Sequence, residues 1–124
     1  MNNIKKLALI VDDSNLTRLS VTSYLNMKNF QCDIAEDGIS GLKRLSEKKY
    51  ELIFSDVEMP NMNGFEFLKK VRSILAYKNI PMVMFTSLDD VETVNKIKHL
   101  GANYHMTKPY TREKMSDALN KCGF

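Results

Sequence analysis

Five short stretches, at residues 7–11, 31–35, 52–56, 81–85 and 103–107, alternate with segments whose apolar residues recur at helical spacing. This alternation restricts the chain more than any other feature. Leu52-Ile53-Phe54-Ser55 runs into Asp56 between a charged stretch and a Pro/Asn/Gly stretch, which predicts a strand buried on both faces. Leu7 to Val11 reads the same way and ends in Asp12-Asp13. Residues 81–85 form a further buried run ending in Thr86-Ser87, while 31–35 is mixed and suits a position nearer an edge. Strands alternating with helices predict an α/β domain: a parallel sheet covered by helices on both faces, joined by right-handed connections. The total strand length is too small for an eight-stranded barrel.

The helices are expected at about 15–27, after Asp37-Gly38, at about 65–76, from Asp89-Asp90, and after Thr111. Ser14 or Asp13 can cap the first and Thr111 the last, and Gly101 stops the fourth. Asp89 and Asp90 suit the dipole at the start of that fourth helix. Val21, Tyr24 and Leu25 share one face of the first helix and Leu16, Leu19 and Met27 another. The second face is either part of a wide buried stripe or a docking surface. Ile39, Leu42 and Leu45 are expected to face inward from the second helix, and Leu68, Val71, Ile74 and Leu75 from the third. Val94, Ile97 and Leu100, then Met115, Ala118 and Leu119, do so from the last two.

Composition excludes several classes. With 124 residues the chain suits one domain, residues 1–124. A net charge of +3 on scattered lysines leaves no electrostatic footprint for nucleic acid. No apolar run approaches the roughly 20 residues needed to span a bilayer. The N-terminal Met1-Asn2-Asn3-Ile4-Lys5-Lys6 has no apolar core or cleavage pattern of a secretion signal. Cys32 and Cys122 make neither a disulfide framework nor a zinc site, so a reduced, cytoplasmic protein is expected.

In a parallel sheet all strand C-termini lie along one edge, where open α/β sheets bind ligands. That edge would collect Asp12, Asp13, Asp56, Thr86 and Lys108. Each alone has an ordinary structural reading as a cap, a turn or a solvated charge; together they form a complementary set. Gathered carboxylates raise one another's pKa, and a divalent cation resolves the conflict. Oxygen ligands suit a hard ion, and magnesium accepts one or two carboxylates; manganese is a possible substitute. Asp56 is then the nucleophile that takes a phosphoryl group, Lys108 supplies a second positive charge, and Thr86 donates a hydrogen bond to the phosphoryl oxygen.

The motifs Val11-Asp12-Asp13-Ser14, Ser55-Asp56-Val57-Glu58-Met59-Pro60, Asn63-Gly64, Phe85-Thr86-Ser87 and Lys108-Pro109 together resemble the receiver domain of two-component response regulators. The resemblance runs in order over essentially the whole chain. It implies a (βα)5, flavodoxin-like or CheY-like fold with strand order 2-1-3-4-5. It also implies that Asp56 is phosphorylated by a histidine kinase or phosphotransfer protein. Asp13, Asp56 and the backbone carbonyl of Glu58 would bind Mg²⁺, with Asp12 orienting the site through a water on the metal. Lys108 would pair with the phosphate, its bond to Pro109 being cis. A switch would couple Thr86 to the ring position on the fifth strand, here His105, which reads equally as a partly exposed strand residue. The output surface would be the fourth helix, fifth strand and fifth helix.

Glu58 either repels or repositions the water that hydrolyses the phosphate, or is a solvated loop charge. Leu88 is apolar where it could shield the phosphate, so slow self-dephosphorylation is expected. No room remains after the fifth helix for a DNA-binding module, so if this is the whole protein its expected output is binding to another protein, in chemotaxis or a phosphorelay; a monomer is expected. A receiver module excised from a hybrid or chemotaxis kinase is the alternative. A Mg²⁺-dependent aspartyl phosphatase would place its nucleophile on the first strand with a second Asp two residues later, which Asp12-Asp13-Ser14 does not match. A flavodoxin-like cofactor binder would need a phosphate-cradling loop where the acidic pair stands. A degenerate receiver serving only as a scaffold is disfavoured by the intact acceptor, acidic pair, Thr and Lys. The expected role is therefore signalling phosphoacceptor rather than enzyme.

Overall fold

Successive side chains of a strand point to opposite faces, and the first strand fills both. Ala8 and Ile10 join one buried cluster and Leu9 and Val11 the other. A computed structural model describes residues 5–124. Part of the N-terminal stretch read as lacking a secretion signal, residues 1–4, lies outside them.

The order is β1 (Lys6–Val11), α1 (Asn15–Met27), β2 (Phe30–Ala35), α2 (Gly38–Glu47), β3 (Leu52–Asp56) and α3 (Gly64–Ser73). A 3-10 turn, Leu75–Tyr77, follows, then β4 (Met82–Thr86), α4 (Val91–His99), β5 (Tyr104–Thr107) and α5 (Arg112–Lys121). The sheet order is β2-β1-β3-β4-β5 with every neighbouring pair parallel, the expected doubly wound arrangement. β3 is central and buried along its whole length. Val21 and Leu25 of α1 and Met115, Ala118 and Leu119 of α5 cover one face of the sheet. Leu45 of α2, Phe67, Leu68 and Val71 of α3, and Ile97 of α4 cover the other. Each large side chain removed from water here contributes about 1.5–3 kcal/mol.

Among the described residues each α-helix begins on a side-chain cap. Ser14, Asp37, Asn63, Asp90 and Thr111 accept hydrogen bonds from the backbone N–H groups of Thr17, Ser40, Glu66, Thr93 and Lys114. Asn63 and Glu66 complete a reciprocal capping box at α3. Gly101, at φ +97°, ends α4 in the left-handed region that glycine tolerates.

The outer face of α1 is open, with Leu16, Leu19 and Met27 all exposed, so the wide-stripe alternative does not hold. Two helix faces also differ from expectation. Ile39 is 57% exposed, because α2 approaches its neighbours through glycines. A Cβ on Gly41 would lie 2.9 Å from the Phe67 ring and 3.2 Å from Val11, so the helix beds down on that side. In α3, Phe67 rather than Ile74 or Leu75 is the large inward residue. The helix stops at Ser73 because Ile74 turns extended, at ψ 121°, and leaves Leu75 outside at 85% exposure.

Candidate functional site

The β1 and β3 registers set Val11 opposite Ser55, so Asp12 and Asp56 leave the sheet side by side. Asp56 pairs with Phe85 and Thr86 with Thr107, which brings the β4 and β5 ends to the same rim. The structure thus gathers Asp12, Asp13, Asp56, Thr86 and Lys108 at one edge. The Lys108 N–H donates to the Thr86 carbonyl at 2.9 Å, and the Lys108–Pro109 bond is cis.

Asp12 and Asp56 are buried while Asp13 is exposed. One carboxylate oxygen from each lies within 4.8 Å of the others. Asp12 Oδ1 accepts the Ser14 N–H at 2.8 Å, and Arg18 Nη1 donates to the Asp12 carbonyl at 2.9 Å. The Lys108 ammonium lies 3.1 Å from Asp56 Oδ1 and 3.6 Å from Asp12 Oδ2. These are ion-pair contacts and leave both oxygens, though buried, without an aligned hydrogen-bond donor.

The electrostatics follow from this crowding. Burial first, then the charge of Asp12, pushes the Asp56 carboxyl up to about 6 despite Lys108. Burial likewise raises Asp12 against the opposing Ser14 N–H and Lys108. Burial would lower the Lys108 ammonium, but Asp56 and Asp12 together outweigh it and raise its pKa. Buried carboxylate oxygens short of donors, converging with an exposed third, form an all-oxygen set that fits a divalent cation. With its carboxyl at about 6, Asp56 is largely ionised at neutral pH.

Glu58 is not a freely solvated charge. Its two carboxylate oxygens both lie 3.0 Å from Thr86 Oγ1, and one accepts the Ser87 N–H at 2.9 Å and the Ser87 hydroxyl at 2.8 Å. Ser87 carries no role in the sequence reading. The contact joins loops 28 residues apart, and no local pattern announces it. Leu88 is 52% exposed and lines a groove with Asp13, Glu58, Met59 and Phe65. His105 is half-buried; burial and then Lys98 lower its pKa, favouring the neutral ring.

Gly64 is a second contributor that motif reading leaves without a reason. Its N–H donates to the Val57 carbonyl at 2.8 Å, holding the start of α3 against the end of β3. Among the described residues no helix is long and apolar enough to cross a membrane.

The family described as response regulator receiver domain matches residues 8–120. A Rhizobium etli protein named "Probable chemotaxis protein CheY" is 38% identical over 112 residues, covering 90% of this chain and 87% of that protein. The Bacillus subtilis sporulation initiation phosphotransferase F is 29% identical, covering 91% of this chain and 90% of the relative. The solved structure of the chemotaxis response regulator CheY4 of Vibrio cholerae superimposes with a TM-score of 0.89 at 33% identity, covering 96% of this chain and 99% of that one.

Proposed function

The chain belongs to the response regulator receiver family, and from that premise we propose that Asp56 takes a phosphoryl group from the phosphohistidine of a histidine kinase or phosphotransfer protein. The observation that carries the assignment is the pairing of a buried, largely ionised Asp56 with Lys108 at 3.1 Å beside two further carboxylates. An Asp56 carboxylate oxygen forms the new bond to phosphorus as the bond to the donor's imidazole nitrogen breaks. The imidazole keeps the electron pair and is reprotonated. The product is an acyl phosphate on Asp56, so the domain is a phosphoacceptor rather than an enzyme acting on a separate substrate.

Asp12, Asp13, Asp56 and the backbone carbonyl of Glu58 are the residues to hold a divalent cation, Mg²⁺ or Mn²⁺. When bound, it would offset the carboxylate charges and those of the phosphoryl oxygens. Lys108 screens the incoming phosphoryl group from the other side. Thr86 is the hydroxyl donor to a phosphoryl oxygen, and His105 the ring whose packing follows Thr86. The change would be read at α4, β5 and α5 by another protein, in chemotaxis or a phosphorelay, by a cytoplasmic monomer in which residues 1–124 act as one domain.

Incubation with acetyl phosphate and Mg²⁺, followed by intact mass, tests this. One added phosphate is expected, absent in Asp56→Asn and with chelator. Phosphate on Asp56→Asn, or none on the unaltered protein, would overturn it.

A further inference from the structure

Thr86 has one hydroxyl proton, and in this structure it is already committed. The Thr86 oxygen accepts the Leu88 N–H at 3.0 Å, and its hydroxyl donates to the Glu58 carboxylate. With both Glu58 oxygens at 3.0 Å, that single proton is shared between them. Ser87 adds its N–H and its hydroxyl to the same carboxylate. Three donors from the end of β4 therefore converge on one anionic group, and hydrogen bonds to ionised acceptors are the strong kind.

We infer that Glu58 is a built-in rival of the phosphoryl group: its carboxylate occupies the Thr86 and Ser87 donors, and phosphorylation of Asp56 has to displace it. The inference rests on Asp56 being the phosphoacceptor. Glu58 lies two residues beyond Asp56, and its charge helps to raise the Asp56 carboxyl, though less than burial and Asp12 do. An acyl phosphate on Asp56 adds negative charge beside Glu58 and competes for the same proton of Thr86. One proton cannot serve two anions, so the donor transfers and Glu58 swings into the solvent that its exposed position already borders. Residues 87–90 lead directly into α4. Breaking the latch thus frees the loop that carries α4, linking the chemistry at Asp56 to the outer surface through a contact made only in the resting state.

Side-chain changes at Glu58 leave its backbone carbonyl in place, so the latch can be tested separately from cation binding. Glu58→Ala removes latch and charge together. Glu58→Asp keeps the charge but draws it back by one methylene, out of reach of Ser87. Ser87→Ala removes one donor and leaves the others.

The first readout is the Ser87 amide proton shift in the unphosphorylated, cation-free protein. It should move upfield in Glu58→Ala and Glu58→Asp alike. The second is the rate of phosphate uptake from acetyl phosphate with Mg²⁺. It should rise on the order of three- to thirty-fold in both Glu58 variants, as expected for losing one or two competing hydrogen bonds, with Ser87→Ala between.

If Glu58 acted by charge alone, Glu58→Asp would match the unaltered protein in both measurements, and the latch would be refuted. An unmoved Ser87 amide, or equal uptake rates in all variants, would refute it as well while leaving Asp56 as acceptor. Failure of every form to take phosphate would instead remove the phosphoacceptor reading and the latch with it.

Discussion

Gly64 stands so close to Asp56 that a Cβ on it would come within 2.2 Å of the Asp56 carbonyl oxygen and 2.6 Å of the Val57 Cα. Both obstacles are backbone, so nothing can rotate away. Gly64→Ala is expected to push α3 off the end of β3, costing about 2–4 kcal/mol in urea unfolding and slowing phosphate uptake. Gly38→Ala is the control. The three atoms nearest its Cβ all belong to the Met62 side chain, the closest at 2.8 Å, rather than to backbone, and a smaller cost than at Gly64 is expected. Equal costs at the two positions would contradict the backbone explanation.

Removing the Asp56 carboxylate should stabilise the cation-free protein, in a pH-dependent way. Asp56 binds its proton with a pKa of about 6 when folded, against about 3.9 when unfolded. Between those values the folded state holds more protons than the unfolded one. Stability from this group is therefore greatest below about pH 4, falls as pH rises through about 6, and is then constant. Asp56→Asn removes that penalty. The variant should gain on the order of 2–3 kcal/mol above about pH 6, shrinking toward zero near pH 4. Urea unfolding with chelator across this range checks the prediction, and a gain independent of pH would count against it.

Asp13 differs from its neighbours in being exposed. Asp13→Asn is expected to leave folding stability within about 0.5 kcal/mol, because no buried charge changes. Its affinity for Mg²⁺ and Mn²⁺ should nonetheless fall by about tenfold or more, since a carboxylate ligand is lost. Titration calorimetry measures the affinity and thermal unfolding the stability. Unchanged affinity would remove Asp13 from the cation site.

Arg72 predicts the opposite separation. Its guanidinium donates to the carbonyls of Gly101, Tyr77 and Ile80 and to the Asn103 side chain, tying the end of α3 to the loop before β5. Arg72→Ala should cost about 2–4 kcal/mol, and Arg72→Lys should recover little because an ammonium lacks the planar fork. The rate of phosphate uptake well below the melting temperature should be unchanged. A slower rate there would show that the network reaches the acidic site.

The parallel sheet was legible because burial on both faces demands apolar runs, and residues 52–56 and 82–86 leave little else to read. The rim residues were legible for the complementary reason: charges end such runs only where the chain leaves the core. Helix rotation was less so. Ile39 fits an inward stripe by spacing, but α2 packs through Gly41 against the Phe67 ring and leaves Ile39 exposed, a fact of shape rather than periodicity. The end of α3 has no proline or glycine to mark it, and the carbonyls beyond it are satisfied by Arg72. At the site, residue types revealed the anionic cluster, whereas the Glu58 contact with Thr86 and Ser87 depends on how two loops fold toward each other.

The acidic rim is assembled from the ends of β1, β3, β4 and β5, which meet only when the sheet is in register from Lys6 through Thr107. A nascent chain still missing β5 has no Lys108 beside Asp56, and one with β4 unpaired has no Thr86. The complete set of rim side chains therefore exists only once β4 and β5 have joined the sheet, so the site is a property of the finished fold and of no smaller part of it.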